Sequence, residues 1–77
     1  MIKGNKGLYK HEIIEFLMRY NVNNNYVNKS MIIEFMNVHY GLNTSDVEDL
    51  MNNLKNSGRI IYISRYGWIA RWINYGN

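Results

Sequence analysis

The sequence predicts an α+β domain, with helices first and a β-hairpin last. Three observations carry this expectation. Apolar residues recur at helical spacing in three successive stretches, the last of them Val47, Leu50, Met51 and Leu54 at i, i+3, i+4 and i+7. After Ser57-Gly58 the period drops from 3.6 to 2. Residues that are β-branched or aromatic then take over at Ile60, Ile61, Tyr62 and Ile63, and again at Trp68, Ile69, Trp72 and Ile73. Between the two runs lies Arg65-Tyr66-Gly67, whose glycine at the third position suits a three-residue hairpin loop with a G1 bulge.

The elements follow in order. Residues 1–7 are expected to be a flexible basic tail carrying Lys3 and Lys6. Residues 8–20 read as the first helix, because Ile13, Phe16, Leu17 and Tyr20 share one face, with Glu15 and Arg19 as an i, i+4 pair outside it. Asn21 to Asn25 reads as a loop. The second helix spans 29–39 and is capped by Asn28; Ile32, Phe35, Met36 and a half-buried His39 share its face. Gly41-Leu42-Asn43 turns the chain, with Leu42 as the apolar residue inside the turn. The third helix, about 44–56, is capped by Asn43, and Asp46 sits where the helix dipole favours negative charge. Ser57-Gly58 stops it, since glycine tolerates the left-handed conformation of a helix end. Strands over 60–64 and 68–73 complete the hairpin.

This order of elements resembles a winged helix-turn-helix domain. The matching residues are Gly41-Leu42-Asn43 for the turn, Val47, Leu50 and Leu54 for the buried face, and Gly58-Arg59-Ile60 for the step into the wing. The resemblance covers most of the chain and names a superfamily. It implies a short strand at Tyr26-Val27 between the first two helices, pairing with the wing; the residues alone say only loop there. It also implies binding of double-stranded DNA, with the third helix in the major groove and the hairpin (60–73) as wing, in the manner of a small transcriptional regulator.

Composition sets bounds on this reading. Seventy-seven residues make one domain, which buries about 60–65% of its unfolded surface. With 47% hydrophobic residues the chain has the makings of a core, and without cysteine it has neither a disulfide nor a thiolate metal site. No apolar run reaches the ~20 residues of a membrane span, and the start lacks the apolar stretch of a signal peptide, so an intracellular, cytoplasmic location and no membrane partner are expected. A net charge of +3 and a pI near 9.3 permit nucleic-acid binding without a strong electrostatic footprint. The chain lacks a glycine-rich phosphate loop, a GxSxG motif and a cysteine nucleophile. His11-Glu12-Ile13-Ile14-Glu15 is half of a zinc-protease helix motif, with glutamate where the second histidine belongs. No catalytic residue, cofactor or metal is expected.

A helical wheel at about 100° per residue places Ser45, Asp49, Asn52 and Asn56 opposite the apolar stripe of the third helix. Glu48 and Lys55 flank that ridge on one side, Asp46 and Asn53 on the other. Asparagine can bond adenine N6 and N7 together, and serine can read several base edges or a phosphate. Lys29 opens the second helix, where a helix N-terminus can also meet a phosphate. Arg65 sits at the wing tip, where arginine can enter a narrow minor groove, and Arg71 lies on the returning strand. The candidate nucleic-acid contacts are Lys29, Ser30, Thr44, Ser45, Asp49, Asn52, Asn53, Arg65, Tyr66 and Arg71. Each basic residue also has the ordinary reading of a solvated charge.

Two features point elsewhere. Asp46, Glu48 and Asp49 crowd the start of the helix that would face a polyanion. The rival expectation is therefore a winged helix used as a protein-interaction module, its acidic third helix docking on a basic partner. Seven Tyr and two Trp are more than so small a core hides. Trp68 and Trp72 share a strand face, which suits core packing or a homodimer interface involving Tyr9, Trp68, Trp72 and Tyr75. A stacking platform for single-stranded nucleic acid is the third option for the aromatic hairpin.

Overall fold

The computed structural model describes residues 6–71. The elements run α1 (Lys6–Asn21), α2 (Lys29–Tyr40), α3 (Thr44–Asn56), β1 (Ile60–Ile63) and β2 (Gly67–Ala70). This is a small α+β fold of three helices and an antiparallel two-stranded hairpin, compatible with a winged helix. Among the described residues, no helix is long and apolar enough to cross a membrane.

The expected caps form. Asn43 Oδ1 accepts from the Asp46 N–H at 2.8 Å, and Asn28 Oδ1 accepts from the Met31 N–H at 3.0 Å, each satisfying a donor the first helical turn leaves open. At the end of α3, Arg59 N–H donates to Leu54 O and Gly58 N–H to Lys55 O, with Gly58 at φ 77°, which is the Schellman arrangement. Helix α1 starts earlier than its apolar pattern predicts. Lys6 and Gly7 are helical, and Tyr9 in that first turn packs its ring 5.5 Å from Tyr40 at the end of α2. Residues 1–5, the rest of the expected tail, lie outside the described residues.

The core joins one face of each helix to the hairpin. Ile13, Phe16 and Leu17 come from α1, Ile32 and Met36 from α2, and Val47, Leu50, Met51 and Leu54 from α3, with Ile60 and Ala70 from the hairpin. Leu42 is buried inside the α2–α3 turn, as its position predicts. Helix α1 packs against β2, α3 and α2, while α3 packs against α2 and β1. His39 corrects the sequence reading: it is exposed, not half-buried, and leans on Phe35 at 4.5 Å between ring centroids. Glu15 also differs, meeting His11 Nε2 at 3.3 Å where Arg19 was the expected partner.

The hairpin register is shorter than its sequence pattern predicts. Ile63 pairs with Gly67, Tyr62 with Trp68 and Ile60 with Ala70, so the loop is Ser64-Arg65-Tyr66. Tyr66 N–H donates to Ile63 O at 2.9 Å, and the left-handed residue is Arg65 at φ 76°. Gly67 is required for another reason. Val27 forms an isolated antiparallel bridge with Trp68, and a Cβ on Gly67 would sit 2.7 Å from Val27 O. The short strand implied by the resemblance is thus present as a single bridged residue, fully buried at 0% exposure. The far end of the hairpin is tied down as well, because Ala70 N–H donates to Asn21 Oδ1 at 2.8 Å.

Candidate nucleic-acid interface

The bridge at Val27 brings three elements to one place. It sets the hairpin beside the start of α2, and the α2–α3 packing brings the last turn of α3 to the same spot. The result is an open groove of about 550 Å³. Three cations line it, one from each element: Lys29 of α2, Lys55 of α3 and Arg65 of the loop. Three aromatic residues line it too: Tyr62, Tyr66 and Trp68 of the hairpin. None of the lining residues is acidic.

The expected reading ridge is on the surface. Ser45, Asp49, Asn52 and Asn56 are all exposed, as are Thr44 and Asn53. The acids beside it differ from one another. Glu48 Oε2 lies 2.6 Å from Lys29 Nζ, so its charge is countered by the first residue of α2. Asp46 is half-buried in the first turn of α3, where the helix dipole favours it. Asp49 stands exposed in the middle of the ridge.

The remaining candidates divide. Tyr66 is 63% exposed and backed by Tyr26, with ring centroids 5.0 Å apart. Ser30 is occupied locally, since its hydroxyl donates to Asn28 Oδ1 at 2.7 Å. Arg71 does not join the groove. Its N–H donates to Arg59 O, and its guanidinium lies beside Gly58, at the opposite end of the hairpin from Arg65. Tyr9 and Trp68, expected together in a dimer interface, are also apart. Tyr9 packs at the C-terminal end of α2 and Trp68 bridges Val27 just before its N-terminal end, so a twelve-residue helix, about 18 Å, separates them. Trp72 and Tyr75, the other two residues of that interface, lie outside the described residues.

The sequence reading did not single out Tyr62 and placed Lys55 only as a flank of the ridge. Strand parity carries the missing signal for Tyr62, because it shares a hairpin face with Trp68 and Ala70. The aromatic pair is direct, with Tyr62 and Trp68 centroids 5.2 Å apart. Among the described residues, no cluster of three or more metal-binding side chains occurs. Comparison of the chain with protein-family models, curated proteins and solved structures finds no match.

Proposed function

We propose that the chain is a winged helix-turn-helix domain that binds double-stranded DNA, with α3 in the major groove and the β1–β2 hairpin as its wing. A small transcriptional regulator is the role this suits. The supporting observation is that Lys29, Lys55 and Arg65, from three separate elements, line one groove beside the exposed α3 ridge. Cations beside a recognition helix can hold a phosphate backbone that borders the major groove, while Asn52 and Asn53 offer bidentate contacts to adenine. The pairing of Glu48 with Lys29 lessens the repulsion that the acidic start of α3 would otherwise exert on DNA.

Asp49 provides the test. In a major groove its carboxylate either accepts from a cytosine N4 or repels the phosphates. The second case is expected, because no neighbouring cation counters it among the ion pairs described. Asp49→Asn should then tighten binding to every duplex sequence, more strongly at low salt, where screening is weakest. Use of a cytosine would instead cost about 1–3 kcal/mol at one base pair. Titration of mixed-sequence duplexes by fluorescence anisotropy at several salt concentrations reads both. No change in duplex affinity for Asp49→Asn or for Arg65→Ala would replace this function with the protein-interaction module.

A further inference from the structure

We propose that the groove between α2, the end of α3 and the hairpin is a binding site for an unpaired nucleotide, its base stacked on the hairpin aromatics and its phosphates held by Lys55 and Arg65. The site shares its cations with the duplex reading but does not require α3 to enter a major groove. Its chemistry has two halves. Tyr62 is 53% exposed and Tyr66 63% exposed, far more than tyrosines placed for core packing. The Tyr62 and Trp68 rings meet at 57°, tilted and not stacked on one another, so their faces are not consumed by each other. An aromatic face beside an open groove is a platform for a flat π-system, and a base offers such a face only when it is unpaired.

The second half is charge. The three cations of the groove come with no acid among its described lining residues, and in the ion pairs described Glu48 engages Lys29. Lys55 and Arg65 remain to meet phosphate oxygens, Lys55 as a point charge and Arg65 as a two-pronged donor. Asn28 also lines the groove, its amide oxygen engaged in capping by the Met31 N–H and the Ser30 hydroxyl. The volume, about 550 Å³, lies within the range of small-molecule sites and exceeds what one side chain would fill. Arg65 also holds a left-handed backbone at φ 76°, a conformation that a loop free to choose would give to glycine or asparagine. Strain of that kind gathers at ligand clamps.

The chain has two tryptophans, so Trp72→Phe leaves Trp68 as the sole reporter inside the groove. The probes are (dT)8, (rU)8 and an abasic DNA octamer with the same phosphates. Both base-bearing octamers, or one of them, should quench Trp68 saturably and bind about tenfold tighter than the abasic strand. The tighter of the two names the sugar. Tyr62→Ala and Tyr66→Ala, both at exposed positions, should each lose about tenfold in affinity for the base-bearing strand and leave abasic binding unchanged. Lys55→Gln should weaken all three strands, and Asn52→Ala none. Equal affinity for abasic and base-bearing strands, or tyrosine variants that bind like the parent, would overturn the site. So would a glutamate–tyrosine octapeptide that quenches Trp68 as tightly as the octamers.

Discussion

Lys29 Nζ and Glu48 Oε2 stand 2.6 Å apart, linking the first residue of α2 to the second turn of α3. Both side chains are about half exposed, so the pair contributes less than ~1 kcal/mol to stability. Its larger effect is on the field at the groove. Glu48→Gln leaves Lys29 without its counter-charge. Duplex binding should tighten, and its salt dependence should steepen by about one phosphate contact. Urea denaturation should shift by less than ~1 kcal/mol. A variant whose salt slope equals the parent's would show that Lys29 does not face phosphate.

Gly67 is the residue on which the hairpin's docking depends. Its φ of 134° is open to glycine alone, and a Cβ would fall 2.7 Å from Val27 O. The obstacle is backbone, so it cannot swing aside. Gly67→Ala should destabilise the fold by about 2–4 kcal/mol, combining backbone strain with overpacking. Chemical denaturation measures the loss. A change under about 1 kcal/mol would mean that the Val27–Trp68 bridge opens at little cost.

Arg65 carries the opposite expectation for stability. A non-glycine residue at φ 76° sits at a cost of about 1–2 kcal/mol, while glycine there gives back roughly 0.5–1 kcal/mol through its freer unfolded chain. Arg65→Gly should therefore keep or slightly raise the thermal midpoint and still weaken both duplex and single-strand binding. Loss of stability together with binding would refute the separation.

Tyr40 gives the pH dependence. Its phenol donates to the Glu12 carboxylate, and this hydrogen bond, followed by desolvation and the negative charge of Glu12, holds its pKa above the ordinary 10.0. The folded value exceeds the unfolded one, so the neutral phenol favours the fold. That contribution is complete below about pH 10 and is lost as pH rises through the folded value. Thermal melts of the parent and Tyr40→Phe should differ by a constant amount near neutrality and converge above about pH 10. Curves that stay parallel through the alkaline range would remove the Glu12 contact from the account.

Local signals in the sequence determine most of the secondary structure. Helix α3 runs from Thr44 to Asn56, as expected, because its cap at Asn43, its apolar stripe and its stop at Gly58 agree with one another. The burial of Leu42 follows from its place inside the turn, and the exposure of Ser45, Asp49, Asn52 and Asn56 from the 3.6-residue period. The hairpin's existence follows from the change of period. Its register does not. A loop of Arg65-Tyr66-Gly67 and one of Ser64-Arg65-Tyr66 keep the same residues on the same face, so alternation cannot tell them apart. The choice falls to the close approach of Val27 to Gly67, forty residues apart in the chain, which only the packed structure contains. That contact sets Trp68 opposite Tyr62 and Ala70 opposite Ile60. The groove has the same origin. Lys29, Lys55 and Arg65 are separated by loops and helices, and sequence can rank each as a cation but not assemble them. Their convergence is decided by the packing of α2 on α3 and by one bridged residue, Val27, because long-range contacts leave no periodic trace in the chain.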